Sequence, residues 1–161
     1  MIYKEELIIM VKIKEGDLLC STEDIIIHQV NCQGIMGSGV ALAIKIKYPK
    51  VFKYYYKLCK SVQPETLMGS YQTIQVSKNK KIINMFTQLN YGYNGERFTD
   101  YIHFTLCFSH ILSEYNNKEN NNIAIPYKIG CCRGGADWDS ILKYIEMVAQ
   151  DYSGNIVIYK I

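Results

Sequence analysis

The chain contains 161 residues with a mass of 18.6 kDa, which is the usual size of one domain. A hydrophobic content of 48%, a charged content of 20% and only three prolines exclude disordered, collagen-like and proline-rich classes. The net charge of +3 is too small to indicate a nucleic-acid or membrane partner. We therefore predict a single domain over residues 1–161.

The cysteines and the N-terminal segment indicate the cellular compartment of the protein. The six cysteines include no C-x-x-C pair, and a chain of this length and apolar content does not need disulfides. Residues 1–14 mix five charged side chains into their apolar residues, so they form neither a signal-peptide core nor a membrane span. We expect a cytoplasmic protein with free thiols and without a metal site, a cofactor or a membrane partner.

The first half of the chain predicts two strands and two helices. Apolar runs at residues 7–13 and 25–30 predict strands. A glycine-bearing loop at 31–39 leads into residues 40–47, whose alanine, leucine and isoleucine content favours a helix. A second helix is predicted from Pro49 to about Val62, where apolar residues recur at helical spacing.

The middle of the chain predicts a hairpin and a long helix. Residues 71–76 and 81–86 are strand-like, and the turn sequence Ser77-Lys78-Asn79-Lys80 separates them. Thr99 or Asp100 can cap an amphipathic helix that follows and ends near Tyr115.

The last part of the chain repeats the order of strand, glycine loop and helix. A buried strand at 123–125 precedes a loop at 130–135, a helix follows from Trp138, and residues 155–161 form a last strand. Alternation of strands with helices predicts an α/β fold with ligand loops at the carboxyl ends of the strands.

The two glycine loops are the main functional signal. Backbone amides in such loops can approach an anion closely, and the helix that follows adds partial positive charge at its N-terminus. The first loop is G-x-x-G-x-G, which matches neither the dinucleotide fingerprint nor a P-loop. Two such loops on one side of a sheet suit a diphosphate, although glycines also serve simply to make turns.

Three segments together resemble the macrodomain family, whose members bind ADP-ribose and its derivatives. They are Gly16-Asp17-Leu18, the loop stretch from His28 to Ala41 and the loop stretch from Ile125 to Trp138. The resemblance spans nearly the whole chain. It implies a three-layer α/β/α sandwich around a mixed, mostly parallel central sheet.

The resemblance also implies a set of binding residues. Asp17 would accept a hydrogen bond from the adenine amino group, Asn31 would lie near the distal ribose, and the glycines would surround the diphosphate. The implied ADP-ribose contacts are Asp17, Leu18, Gln33, Gly34, Met36, Gly37, Ser38, Gly39, Val40, Thr87, Pro126, Gly130, Cys131, Cys132, Arg133, Gly134, Gly135 and Ala136.

Two motifs point to one branch of the family. His28-x-x-Asn31 and the Gly-Gly-x-Asp-Trp ending resemble terminal ADP-ribose glycohydrolases and yeast-type ADP-ribose 1''-phosphate phosphatases. Those glycohydrolases use a lysine and an aspartate, but the corresponding positions here are Gln88 and Gly134. The resemblance therefore implies the phosphatase in preference to a lysine-dependent glycohydrolase.

Four residues are candidates for catalysis: His28, Asn31, Gln88 and Asp137. His28 can donate a proton or hold the terminal phosphate, Asp137 can orient water, and Gln88 can bind substrate oxygens. His28 can instead be a locally hydrogen-bonded histidine, and Asp137 can be the cap of the helix that begins at Trp138. Two alternative functions remain: hydrolysis of ADP-ribose from a modified macromolecule or acetyl ester, and binding without catalysis.

A basic stretch runs through the second predicted helix and the end of the first. Six lysines lie between Lys45 and Lys60, with Tyr54, Tyr55 and Tyr56 among them. We interpret it as a solvated helix face with its aromatic residues packed inward, and we do not expect nucleic acid as a partner. The expected partner is ADP-ribose, an ADP-ribosyl derivative or an ADP-ribosylated macromolecule.

Overall fold

The computed structural model describes residues 11–92 and 94–161. Within these residues, six strands form one sheet: β1 Val11–Glu15, β2 Ile25–Asn31, β3 Tyr71–Ser77, β4 Lys80–Gln88, β5 Ile123–Pro126 and β6 Ile156–Lys160. The helices are α1 Gly39–Lys47, α2 Pro49–Ser61, α3 Pro64–Leu67, α4 Tyr101–Tyr115 and α5 Trp138–Ala149, with a short 3-10 helix at Leu18–Cys20.

The sheet is mixed, with the strand order β1-β6-β5-β2-β4-β3. Among the strands of the described residues, the pairs β1–β6, β5–β6, β2–β5 and β2–β4 are parallel, and the β3–β4 hairpin is antiparallel. Strands β5 and β2 are neighbours at the centre, so the loops that follow them meet at one edge of the sheet. The predicted α/β sandwich with a mostly parallel sheet is confirmed.

Alternating side chains of the central strands supply two separate cores. Ile25 and Ile27 of β2 pack with α4 and α5 on one face of the sheet. Ile26 and Val30 point to the other face, where they pack with α1 and α2. Because both faces are covered, the central strands are apolar throughout, as is usual for parallel sheets.

The predicted elements agree with the structure apart from their ends and two short helices. The first predicted strand begins at residue 7, but residues 7–10 lie outside the described residues. Strand β4 continues two residues beyond Phe86, because Thr87 is an extra residue in β4 and Gln88 pairs with Asn31 after it. The helices at Leu18–Cys20 and Pro64–Leu67 were not predicted, since each is too short to show a period.

Among the described residues, none of the helices has the length and apolar character needed to cross a bilayer.

Candidate functional site

A cleft of about 530 Å³ lies between the loops that follow β2 and β5. This volume is in the usual range for a site that encloses a small organic ligand. Residues of both glycine loops line it. Its described lining residues are His28, Gln29, Val30, Asn31, Ile35, Gly37, Ser38, Gly39, Val40, Ala41, Gln88, Tyr91, Pro126, Tyr127, Lys128, Ile129, Gly130, Cys132, Arg133 and Gly134.

The cleft brings together only part of the predicted site. The predicted residues that line it are His28, Asn31, Gly37, Ser38, Gly39, Val40, Gln88, Pro126, Gly130, Cys132, Arg133 and Gly134. Those outside the lining are Asp17, Leu18, Gln33, Gly34, Met36, Thr87, Cys131, Gly135, Ala136 and Asp137. Several of the latter hold the loops in shape: the Gln33 backbone N–H donates to Asn31, and the Ala136 backbone N–H donates to the Gly130 carbonyl oxygen at 3.0 Å.

Asn31 shapes the first loop. Its side-chain amide donates to the Ile35 carbonyl oxygen at 2.8 Å, and its Oδ1 accepts from the Gln33 backbone N–H at 2.9 Å. The buried hydroxyl of Tyr55 also donates to Asn31 Oδ1, at 2.9 Å, and burial raises the pKa of this tyrosine. The carboxamide of Asn31 is therefore engaged with its own loop.

Gln29 links the cleft floor to the second loop. Thr87 Oγ1 donates to Gln29 Oε1 at 2.6 Å, and Gln29 Nε2 donates to Gln88 Oε1 and Thr99 Oγ1, each at 2.8 Å. Thr99 Oγ1 in turn donates to the carbonyl oxygen of Gly130 at 2.8 Å. These bonds orient the Gln88 amide with its oxygen toward Gln29.

Sequence analysis missed both Gln29 and Thr99 as parts of the site. One signal was present in the sequence. Gln29 is an uncharged polar residue on the same face of β2 as Ile25 and Ile27, which are apolar. A half-buried amide in such a strand needs hydrogen-bond partners, and Gln29 finds them in Thr87, Gln88 and Thr99.

Gly134 fits where a side chain cannot. A Cβ added there would lie 2.1 Å from Thr99 Oγ1 and 2.4 Å from the carbonyl oxygen of Gly130. The Gly134 carbonyl also accepts the backbone N–H groups of Phe98 and Thr99, at 2.8 and 2.9 Å. The second loop is therefore clamped to the segment that enters α4.

His28 is buried between sheet and helices although it borders the cleft. Its Nε2 lies 2.6 Å from Asn84 Oδ1, to which it donates, and the Asn84 amide donates to Gln72 Oε1 at 3.1 Å. Loss of solvation on burial lowers the pKa of His28 to about 4. The hydrogen bond to Asn84 raises this pKa, but by less than burial lowers it. The ring is thus neutral at pH 7, and its Nδ1 is buried without a hydrogen-bond partner in the described part of the chain. This state does not suit the predicted proton-donating role.

The two predicted aspartates act locally as helix caps. Asp137 Oδ2 accepts from the backbone N–H and hydroxyl of Ser140, at 2.9 and 2.8 Å, and these bonds lower the pKa of Asp137. Asp17 Oδ1 accepts from the Leu19 backbone N–H at 2.9 Å and caps the 3-10 helix. Capping of α5 by Asp137 is confirmed.

The thiols and acidic groups of the described region do not form a metal centre. No group of three or more histidine, cysteine or acidic residues there could hold a metal ion. Burial raises the pKa of the Cys131 thiol to about 11, so this thiol is protonated at neutral pH.

The environment of His28 predicts a pH dependence of stability. In the unfolded state, His28 has an ordinary pKa near 6.5 and binds a proton as the pH falls below that value. In the folded state, His28 binds this proton only near pH 4. Stability contributed by the neutral ring is therefore present above pH 6.5 and is lost as the pH falls toward 4. We expect the wild-type protein to lose about 3 kcal/mol more free energy of unfolding between pH 7 and 4 than His28→Gln.

Urea unfolding at several pH values measures this difference. His28→Gln keeps an amide nitrogen near Asn84, whereas His110→Gln changes an exposed histidine and serves as the control. Parallel pH profiles for wild type and His28→Gln would contradict the prediction.

A second prediction concerns Gly134. Gly134→Ala forces a methyl group against Thr99 and Gly130, so we expect a loss of about 2 kcal/mol or more in free energy of unfolding. Gly37→Ala is the matched control in the first loop, because the nearest described side chain to its Cβ would be Ile35, at an ordinary contact distance of 3.6 Å. Urea unfolding of both variants tests this. Equal free energies of unfolding for the two variants would show that the second loop accommodates the methyl group without loss of stability.

Comparison with known proteins agrees with this arrangement. The Macro domain family matches residues 27–145. A protein of Mycobacterium tuberculosis (strain ATCC 25618 / H37Rv) named DNA ADP-ribosyl glycohydrolase is 32% identical over 136 residues, which are 82% of this chain and 36% of that protein. An ADP-ribose 1''-phosphate phosphatase of Scheffersomyces stipitis is 32% identical over 69 residues, 38% of this chain and 40% of that protein. The aligned part of this chain thus covers well under half the length of each of these relatives.

Two solved structures share the fold. The macrodomain of Mycobacterium tuberculosis DarG has a TM-score of 0.80 and 25% identity, with coverage of 94% of this chain and 97% of that one. The macrodomain of Thermus aquaticus DarG has a TM-score of 0.75 at 21% identity, with the same two coverages. From the match over residues 27–145 and the shared fold, we conclude that the chain belongs to the Macro domain family.

Proposed function

We propose that the cleft binds an ADP-ribosyl group, with the diphosphate between the two glycine loops. The observation that carries this proposal is that the two loops follow adjacent parallel strands, β2 and β5, and line one cleft of about 530 Å³. The first loop ends at the N-terminus of α1, and Arg133 adds a cation in the second loop. Amides, a helix N-terminus and a guanidinium together favour a diphosphate.

Asp17 remains our proposed adenine contact. It follows β1 at the carboxyl edge of the sheet, and its side chain is exposed. The Leu19 N–H donates to Oδ1, while Oδ2 has, among the described residues, only the Cys20 thiol as a partner, at 3.7 Å. A carboxylate oxygen with so weak a partner can accept a hydrogen bond from an exocyclic amino group.

The proposed activity is hydrolysis of ADP-ribose 1''-phosphate to ADP-ribose and phosphate. No aspartate or glutamate occurs among the described residues of the cleft lining, and His28 there is neutral. Such a site favours a substrate whose leaving group departs as a stable anion without protonation. A phosphate on C1'' meets this requirement.

In the proposed step, the bond between C1'' and the ester oxygen breaks and phosphate leaves with that oxygen. Water adds its oxygen to C1'' and keeps one proton there as the new hydroxyl, and its other proton passes to the phosphate after the phosphate has left. The Gln88 amide and the loop N–H groups hold substrate oxygens. His28 positions the cleft floor as a neutral hydrogen-bonded ring, with Asn31 holding the first loop.

Release of ADP-ribose from DNA is a second candidate. The relative that matches 82% of this chain is named DNA ADP-ribosyl glycohydrolase, whereas the matched phosphatase aligns with 38% of it. The expectation from charge and composition that nucleic acid is not a partner is therefore unsupported. A third outcome, binding without turnover, is consistent with Gln88 at the position of the glycohydrolase lysine.

Turnover of ADP-ribose 1''-phosphate in the presence of a chelator tests the activity. We expect multiple turnovers and a kcat that changes less than about twofold between pH 6 and 8, since no imidazolium donates a proton. In water enriched in ¹⁸O, the released phosphate should carry no label, because the bond to C1'' breaks. Labelled phosphate, or a kcat that falls steeply with rising pH, would contradict the proposed step.

Calorimetric titration with ADP-ribose tests binding separately. We expect saturable binding that Asp17→Ala weakens about tenfold through loss of one hydrogen bond to a charged acceptor. Asp139→Ala removes another exposed aspartate, in the first turn of α5, and should leave affinity unchanged. Tight binding without phosphate release would assign the chain to the non-catalytic class, or to release of ADP-ribose from DNA if that substrate is turned over.

A further inference from the structure

The long basic stretch forms one continuous surface on α2. Between Asp24 and Glu65 the chain contains six lysines and no acidic residue. Of these, Lys50, Lys53, Lys57 and Lys60 are exposed and recur at helical spacing on the side of α2 opposite its buried residues. We call this set, with Tyr54 and Tyr56, the lysine face.

Two of the three consecutive tyrosines lie on this face, contrary to the sequence interpretation. Tyr55 is fully buried, but Tyr54 and Tyr56 are 48% and 46% exposed. Consecutive residues on a helix are rotated by about 100°, so three in a row cannot all point inward. The exposed rings flank the row of lysines on either side.

The lysines of this face are not neutralised by carboxylates. In the described part of the chain, none of the four forms an ion pair. Their contacts are neutral: Lys50 Nζ donates to the Gln75 carbonyl oxygen at 2.9 Å, and Lys60 Nζ lies 5.3 Å from the Tyr56 ring centroid. The positive charge is therefore open to an external anion.

The lysine face adjoins the cleft. Lys60 Nζ donates to the Gln33 carbonyl oxygen at 3.5 Å, and the Tyr56 ring lies 3.5 Å from the Cβ position of Gly34. The next residue, Ile35, lines the cleft. A polyanion on α2 would thus continue to the mouth of the site through the first loop.

We propose that the lysine face binds single-stranded nucleic acid. Spaced lysines pair with backbone phosphates, and half-exposed tyrosines provide faces on which unpaired bases stack. A duplex keeps its bases paired and cannot use these rings. The proposal goes beyond the function of the cleft, because it concerns the strand itself and needs no ADP-ribosyl group on it.

The test is fluorescence anisotropy with a labelled, unmodified single-stranded DNA of about 20 nucleotides, long enough for more than one binding site. We expect the affinity to fall steeply between roughly 50 and 200 mM salt. Lys53→Glu/Lys57→Glu should lower affinity at least about tenfold and reduce the salt slope by about 0.7 for each phosphate that the variant no longer neutralises.

The control is Lys118→Glu/Lys143→Glu, which makes the same charge change beside α4 and on α5, on the opposite face of the sheet. It should retain most of the affinity. Tyr54→Ala should weaken binding roughly fivefold or more with little change in salt slope, since it removes stacking and not charge. Circular dichroism and ADP-ribose titration establish that each variant is folded, and they report the cleft independently of the lysine face.

Three results would overturn the proposal. The first is equal loss of affinity in the two charge variants, which would indicate net charge alone. The second is equal affinity for duplex and single strand, or displacement by polyglutamate at equal charge, which would indicate a general polyanion surface. The third is absence of saturable binding at low salt.

Discussion

The side-chain amide of Gln29 is the contact on which the candidate site depends. Through its three hydrogen bonds, strand β2 holds Thr87 and Gln88 at the end of β4 and Thr99 at the entrance to α4. Thr99 then reaches the second loop at Gly130. Four segments distant in sequence are fixed by one amide that is largely shielded from water, where breaking a hydrogen bond costs most.

The sequence was sufficient to predict the general layout of the site. Parallel neighbours place their carboxyl ends on one edge, so two glycine loops after apolar strands had to meet if β2 and β5 paired. The structure pairs Ile25 with Ile123 and confirms this. Helix caps were also readable, because Asp100 and Asp137 precede periodic apolar segments and their effects are local.

What the sequence did not show depends on contacts between remote segments. The partners of Gln29 lie 58 to 70 residues away, and no local pattern identifies them. His28 looked like a titrating group at a strand end, but its burial follows from the packing of α1 and α2 over the sheet. The exposure of Tyr54 and Tyr56 likewise depends on which side of α2 meets the sheet.

The row formed by His28, Asn84 and Gln72 crosses three adjacent strands, since each residue is the register partner of the next. Strands β2 and β4 each carry consecutive isoleucines, so their apolar side chains alone distinguish one register from another only weakly. A shift by one residue would turn one of these polar groups to the opposite face of the sheet and leave its partner unbonded. The row therefore fixes the register of β2, β4 and β3, and with it the relative positions of the ends of β2 and β4, beside which the cleft lies.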